Sequence, residues 1–327
     1  MPAFDPHVWQ PSPAPPLTGD FATNDALDRA ETIGLPHDGP EDVVVDDHGR
    51  LYTGTDDGSI LRIDQLTGRI ETVAHVGRRP LGIEWYGDDL VVCNAYLGLQ
   101  LVSMSGTVDT LVDEVDGNRL LLTNNASVAG DGTIYFTDSS RRWQLDEYTA
   151  DLIEGQPTGR LFRRSPDGEV TVLIDGLQFA NGVALDAEGA SVFVAETGRY
   201  RIHRHWLTGD RAGTTDLFAD NLPGYPDNLT FGGGTLWVAH ASPRQTMLEF
   251  MAPREWMRKL AFRMPASLKP KPVRHGMVFG YDDAGKVTHN LQDQTGRVAI
   301  TTSARYHEGR LYIGVLTDPQ LAVVDVG

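Results

Sequence analysis

The chain repeats one short pattern six times, and this repetition limits the folds open to it more than any other feature. Each copy begins with a turn-forming stretch that runs into an apolar segment, at residues 39–43, 79–83, 122–126, 179–183, 225–229 and 300–304. A glycine-marked turn and a second β-rich segment follow, at 51–53, 90–92, 134–136, 192–194, 236–238 and 311–313. Several short strands per unit, at a period of roughly 40 to 50 residues, are typical of a β-propeller. The sequence therefore predicts an all-β fold, a six-bladed β-propeller.

The propeller accounts for one domain, residues 25–327, and an extended arm at 1–24 precedes it. Prolines are frequent in the arm, where they fix φ and remove backbone donors. Because a closed ring must join its two ends, we expect the strand at 29–33 to complete the blade built from 310–326. The single cysteine, Cys93, excludes a disulfide framework.

One insertion, at 244–272, interrupts the fifth blade. Its apolar residues between Met247 and Phe262 recur near helical spacing, with basic residues between them. We predict a small helical insertion that lies as a lid over the mouth of the propeller. Docking on a membrane surface is a second interpretation of the same basic and aromatic segment.

The overall charge is strongly acidic. The chain has 45 acidic and 28 basic residues and a formal charge of −17, which disfavours nucleic acid as a partner. No apolar stretch approaches the length that crosses a bilayer. We therefore expect a cytoplasmic protein without a membrane span, a monomer or weak homo-oligomer, whose partner is a small-molecule substrate.

Equivalent positions of the six copies converge on the axis of a propeller. The column formed in this way contains Glu41, Leu81, Asn124, Asn181, Asp227 and Thr302. Carboxylate and amide oxygens without thiolate or histidine ligands are what Ca²⁺ prefers, whereas zinc would favour His or Cys. The column thus predicts a Ca²⁺ site, or a site for another divalent cation. Capping of turns by the same polar side chains is the structural alternative.

Five motifs give the chain a resemblance to a known superfamily. They are Gly-Pro-Glu-Asp-Val at 39–43, Thr-Asn-Asn at 123–125, Phe-Ala-Asn-Gly-Val at 179–183, Glu-Thr-Gly-Arg-Tyr-Arg-Ile at 196–202 and Leu-Pro-Gly-Tyr-Pro-Asp-Asn at 222–228. The chain resembles the senescence-marker-protein/gluconolactonase superfamily, and within it the strictosidine-synthase-like branch. The resemblance implies that Glu41, Asn124, Asn181 and Asp227 bind the metal, with Asn228 as an additional ligand.

The departures from this superfamily bear on the reaction. Leu81 and either Asn94 or Ala95 stand where paraoxonases have a histidine pair that assists lactone hydrolysis. Thr302 stands where strictosidine synthase has a catalytic glutamate, and a hydroxyl cannot act as the same acid and base. We therefore do not expect strictosidine synthesis.

The predicted function is calcium-dependent hydrolysis of a lactone or ester. Phosphotriester hydrolysis at the same site, or a non-catalytic propeller with a structural calcium, are the alternatives. The candidate catalytic residues are Asp227, Asn124 and His240. For His240, a purely structural role is the alternative. The candidate substrate-pocket residues are Leu81, Asn125, Asp138, Arg142 and Thr302.

Overall fold

The six copies of the pattern fold into six four-stranded antiparallel sheets, the blades of a propeller. The computed structural model describes residues 2–265 and 271–327. A single strand, β1 (Glu31–Gly34), precedes the blades. Blade 1 contains β2 (Val43–Val45), β3 (Leu51–Gly54), β4 (Ser59–Ile63) and β5 (Ile70–His75). Blade 2 contains β6 (Pro80–Tyr86), β7 (Asp89–Asn94), β8 (Gly98–Val102) and β9 (Val108–Val112).

The remaining blades follow in chain order. A small hairpin of β10 (Glu114–Val115) and β11 (Asn118–Arg119) leads into blade 3. Blade 3 contains β12 (Thr123–Val128), β13 (Ile134–Asp138), β14 (Gly159–Arg164) and β15 (Val170–Leu177). Blade 4 contains β16 (Ala180–Leu185), β17 (Ser191–Glu196), β18 (Arg201–Trp206) and β19 (Thr215–Ala219). Blade 5 contains β20 (Gly224–Gly232), β21 (Thr235–Pro243), β22 (Gly276–Tyr281) and β23 (Val287–Asp293).

The two ends of the chain close the ring in blade 6. This blade contains β24 (Thr301–His307), β25 (Arg310–Val315) and β26 (Gln320–Asp325). Strand β1 pairs antiparallel with β26, and Ile33 lies opposite Leu321. The prediction that an early strand completes the last blade is confirmed, and the pairing covers an edge that would otherwise be open.

Both faces of each blade are buried, because successive blades pack face to face around the ring. Six apolar clusters fill the six gaps between neighbouring blades. Val43 contacts the cluster between blades 6 and 1, and its neighbour Val44 contacts the one between blades 1 and 2. This alternation follows from the two-residue period of a strand. Side chains on both faces of an inner strand are therefore buried between blades, which leaves few positions for polar side chains.

The inner strands carry a β-bulge at the positions of the predicted column. The pairing register shifts between Pro80 and Ile83 in β6, and at the equivalent places in β12, β16, β20 and β24. A bulge inserts an extra residue and turns a side chain away from the regular pleat. The bulged residues are thereby directed differently from the strand residues that pack between blades.

In the described part of the chain, the α-helices lie in two insertions. Helix α1 (Tyr148–Glu154) connects β13 to β14, and helices α2 (Thr246–Met251) and α3 (Glu255–Arg263) connect β21 to β22. The predicted helical insertion in the fifth blade is confirmed. Among the described residues, no helix is long and apolar enough to cross a membrane.

Candidate active site

Residues of the predicted column from five blades meet around one cavity at the centre of the propeller. Glu41, Leu81, Asn124, Asn181 and Asp227 all line this cavity, which has a volume of about 430 Å³. Glu41 precedes β2, and the other four lie on the inner strands of blades 2 to 5. The polar members of the column are buried. The column predicted from the repeats is therefore brought together at five of its six positions.

The amide oxygens in the column have no hydrogen-bond donors. The Asn124 Nδ2 group donates to Ser139 Oγ at 3.0 Å, while the Ser139 hydroxyl donates to the Ala180 carbonyl at 2.7 Å. Ser139 thus fixes the orientation of the Asn124 amide. The Oδ1 atoms of Asn124 and Asn181 are buried and have no hydrogen-bond partner. A buried acceptor without a donor is costly, and a bound cation would satisfy both oxygens.

A further asparagine bridges the axis. The Asn228 Nδ2 group donates to both carboxylate oxygens of Glu41, at 3.0 and 3.1 Å, and the Asn228 Oδ1 atom is buried without a partner. Close packing of the inner strands permits this contact. A Cβ atom on Gly182 would lie 2.4 Å from the Asn228 Cα atom, so only glycine fits there.

Two buried carboxyl groups, those of Glu41 and Asp227, lie in the column. Burial raises the pKa of Glu41 well above its usual range, and the charges of Asp227 and Asp42 raise it further. Burial also raises the pKa of Asp227 to about 8, against the effect of a side-chain hydrogen bond with Asn181. These shifts mean that the pair is unfavourable when both groups are ionised without a cation.

The donor set fits a hard divalent cation. It offers two carboxylates and three amide carbonyls, and oxygen donors of this kind are those that Ca²⁺ takes. The described residues contain no group of three or more His, Cys, Asp and Glu side chains that could hold a metal. The column is consistent with that finding because only two of its donors are carboxylates.

Arg79 is a cavity residue that the repeat pattern did not indicate. Its side chain lines the cavity and is only 8% exposed, and its Nη1 atom is buried without a hydrogen-bond partner. Burial lowers the pKa of Arg79, while the charge of Glu41 raises it. The sequence carried no periodic signal for Arg79, because it precedes β6 (Pro80–Tyr86) and a register shift between Pro80 and Ile83 interrupts the regular pleat.

The rest of the cavity wall is mainly apolar. It is built from the two insertions and from neighbouring loops, with Leu145, Tyr148, Leu152, Ile153, Phe179, Leu248, Ile300 and Leu316. The insertion between β13 and β14 lines the cavity through helix α1, with Tyr148, Leu152 and Ile153. Gln245, Leu248 and Pro272 place the fifth-blade insertion at the wall as well, as expected of a lid.

Family profiles and curated relatives identify the chain. A profile described as "Strictosidine synthase" matches residues 124–210, and one described as "Strictosidine synthase-like, N-terminal" matches residues 19–63. The adipocyte plasma membrane-associated protein of Salmo salar is 35% identical over 98% of this chain and 84% of its own length.

The chain belongs to the strictosidine-synthase-like family.

Solved structures share the fold of this strictosidine-synthase-like protein. A gluconolactonase from Xanthomonas campestris matches with a TM-score of 0.67 and 18% identity, over 93% of this chain and 92% of that one. A calcium-binding protein, regucalcin, from Agrobacterium tumefaciens matches with a TM-score of 0.63 and 13% identity, over 90% and 91%. At these identities the likeness concerns the propeller fold alone.

Two predicted pocket residues of the strictosidine-synthase-like chain belong instead to the packing beneath the cavity. The Thr302 hydroxyl donates to the backbone carbonyl of Glu41 at 2.6 Å. The Asn125 Nδ2 group donates to the Asp42 carboxylate, and its Oδ1 atom accepts from the Val183 amide. Neither side chain is part of the cavity wall, because each is used to connect the inner strands of neighbouring blades.

The predictions for Asp138 and Arg142 are corrected as well. The Asp138 carboxylate accepts from the Leu122 amide and pairs with Arg160 at 3.2 Å, away from the cavity wall. Arg142 pairs with Glu154 on α1 at 2.7 Å and donates to the Ala3 carbonyl of the arm. Both residues connect structural elements, and neither lines the cavity.

His240 lies behind the cavity and is a poor candidate for a base. It is fully buried against the Phe279 ring, with 5.1 Å between ring centroids, and does not line the cavity. Burial lowers the pKa of His240 to about 3, so the ring is neutral and weakly basic near pH 7. Both ring nitrogens lack hydrogen-bond partners. The structure therefore favours the structural alternative for this residue.

Proposed function

We propose that this protein is a calcium-dependent hydrolase that acts on the lactone or ester of a small, largely apolar molecule. The observation that carries the proposal is the pair of buried, unpartnered amide oxygens on Asn124 and Asn181, in the same cavity as Glu41 and Asp227. Such a cavity combines a cation site with room for a substrate. A purely structural ion would need no adjoining space of about 430 Å³.

The residues that would hold Ca²⁺ are Glu41, Asn124, Asn181 and Asp227, with Asn228 as a further donor. The two carboxylates balance the charge of the ion. When bound, the ion would polarise a carbonyl group and stabilise negative charge on its oxygen. Five protein donors leave coordination positions for water and substrate, since Ca²⁺ takes 6 to 8 oxygens.

Asp227 is the residue proposed to move the proton. During hydrolysis, a water oxygen forms a bond to the carbonyl carbon while the water proton passes to an Asp227 carboxylate oxygen. The bond between that carbon and the leaving oxygen then breaks, and the same proton passes to the leaving oxygen. The products are a carboxylic acid and an alcohol, which in a lactone remain one molecule.

Arg79 is proposed to stabilise the negative charge that develops during this reaction. Its guanidinium is buried beside the cavity and has an Nη1 group without a partner. A preorganised donor in a dry site stabilises a transition state more strongly than water does. Apolar side chains such as Leu81, Phe179 and Leu248 exclude water and hold the substrate's hydrocarbon part.

Two structural neighbours carry, in their names, the activity and the ion of this proposal. The Xanthomonas campestris protein is named a gluconolactonase, and the Agrobacterium tumefaciens regucalcin is described as calcium-binding. The hydrolase proposal is supported by the oxygen donors of this chain, because a shared propeller fold does not determine function.

The decisive test is hydrolysis of a panel of lactones and aryl esters, with phosphotriesters for comparison, in excess Ca²⁺ or in chelator. We expect Ca²⁺-dependent turnover of one or more lactones or esters, lost in Asp227→Asn. Asp325→Asn, at an exposed carboxylate of blade 6, is the matched control and should keep full activity. Tight Ca²⁺ binding with no turnover of any carbonyl compound would indicate a structural ion and contradict the hydrolase proposal.

A further inference from the structure

Four large apolar side chains of α2 and α3 face the solvent. Met247, Phe250, Trp256 and Leu260 are between 52% and 66% exposed. They make up four of the ten exposed large apolar residues in the described part of the chain. Single exposed apolar residues need no explanation, whereas a group of this size marks an interaction surface.

The exposed residues are not needed to hold the helices in place, because the opposite face of the helices is already packed against other parts of the protein. Met251 and Ala261 are buried with Ile153 of α1 in one apolar cluster, which Phe4 of the arm also contacts. The Phe4 and Phe262 rings stack with 4.1 Å between centroids. The helices are thus anchored from below and display a second apolar face outward.

The charge around this outward face is opposite to that of the protein. Residues 244–265 contain five basic and two acidic residues, in a chain whose formal charge is −17. The side chain of Arg244, one of the five, is buried and pairs with Glu249. Lys259 and Arg263 are exposed, and Arg254 is half-buried over the Phe250 ring at 3.8 Å. Lys259 pairs with the exposed Glu255, so three basic groups against one acidic group leave this face positively charged. Arg258, in contrast, points inward and donates to the His7 carbonyl.

We propose that α2 and α3 form a docking surface for an anionic lipid bilayer. The docking surface consists of Met247, Phe250, Trp256 and Leu260, with Arg254, Lys259 and Arg263 beside them. Exposed aromatic and aliphatic residues next to basic ones are the combination that binds the interface of a bilayer. An acidic protein is repelled by anionic lipid, so attraction confined to this segment also fixes the orientation of the molecule.

The docking surface adjoins the cavity. Gln245 and Leu248 of the same insertion line the cavity wall, and Leu248 is next in sequence to Met247 of the docking surface. Docking would therefore bring the entrance of an apolar cavity next to the hydrocarbon region. If the proposed hydrolase function holds, the substrate class is an amphiphilic ester or lactone that partitions into membranes. Docking itself does not depend on that function.

The test is co-sedimentation of the full chain with vesicles of phosphatidylcholine alone or with about one third phosphatidylserine. We expect binding to the vesicles that contain phosphatidylserine, weakened by salt because the attraction is electrostatic. Replacing Lys259 and Arg263 by Gln should weaken this binding about tenfold or more. The double variant Trp256→Ser/Leu260→Ser should lose it.

The control is Leu66→Ser/Leu217→Ser, at exposed leucines of blades 1 and 4, of which Leu66 is 95% exposed. This variant should bind vesicles as the wild type does, and all variants should melt at similar temperatures because every changed side chain is exposed. Absence of vesicle binding by the wild type, or equal losses in the control, would overturn the proposal. So would equal binding to both vesicle types, or a dimer in solution that Trp256→Ser/Leu260→Ser dissociates.

Discussion

The Asn228 Nδ2 group donates to both carboxylate oxygens of Glu41, at 3.0 and 3.1 Å, and so links blade 5 to blade 1 across the propeller axis. This contact opposes the pKa increase that burial causes at Glu41. Replacing Asn228 by Leu should therefore cost about 2 to 3 kcal/mol of unfolding free energy, because a buried carboxylate loses its donor. Denaturant unfolding in chelator would measure the loss, and an unchanged free energy would contradict it.

Chelation of the proposed Ca²⁺ should destabilise the protein. If free Ca²⁺ is 100-fold above its dissociation constant, binding contributes about 2.7 kcal/mol, which corresponds to a fall in Tm of several degrees on chelation. Glu41→Gln and Asp227→Asn should each weaken binding in titration calorimetry, because each removes one of the two negative charges of the site. Thr302→Ala, which changes no charge, is the comparison. Equal affinities in all three variants would show that the column does not hold the ion.

Arg79→Met should change activity and metal affinity in opposite directions. Loss of the guanidinium should lower kcat/KM roughly 100-fold, the effect of removing one donor from an oxyanion site. The same change should strengthen Ca²⁺ binding, because it removes a positive charge from the neighbourhood of Glu41. Calorimetry and steady-state kinetics on the same preparation would separate the two effects. Parallel losses of both would indicate that Arg79 only maintains the structure of the site.

His240→Leu should stabilise the protein. The two ring nitrogens of His240 are buried without partners, and a buried polar group without a hydrogen bond costs about 1 to 3 kcal/mol. Leucine has a similar volume and no polar atoms. We expect a higher Tm and unchanged hydrolysis. A loss of hydrolysis with a native melting curve would restore His240 as a catalytic candidate.

Asp151 should make the stability depend on pH. Burial raises its pKa to about 7 from a usual value of 3.8, against the hydrogen bond from Ser140. The folded state therefore binds the proton more tightly than the unfolded state, and this residue's contribution to stability falls as pH rises from about 4 to about 7. Asp151→Asn should be up to about 4 kcal/mol more stable than the wild type at pH 8. The difference should vanish near pH 4, and a difference independent of pH would contradict the assignment.

Much of the fold could be predicted because it depends on patterns within the chain. The six repeats gave the number of blades, and the need to close the ring gave the pairing of β1 with β26. Helical spacing in the fifth-blade insertion gave α2 and α3. Each of these rests on local periodicity or on the strong penalty for an open strand edge.

The column of oxygen donors was also determined by the sequence, because equivalent positions of repeated units must meet at an axis of pseudo-symmetry. Glu41, Asn124, Asn181 and Asp227 were found in this way. What each side chain contacts was decided only by the tertiary structure. Thr302 occupies the same register but donates to a backbone carbonyl, whereas Arg79 lies outside that register and lines the cavity. The physical reason is that a repeat fixes the position of a backbone, while the direction and partners of a side chain depend on neighbouring blades and insertions that do not repeat.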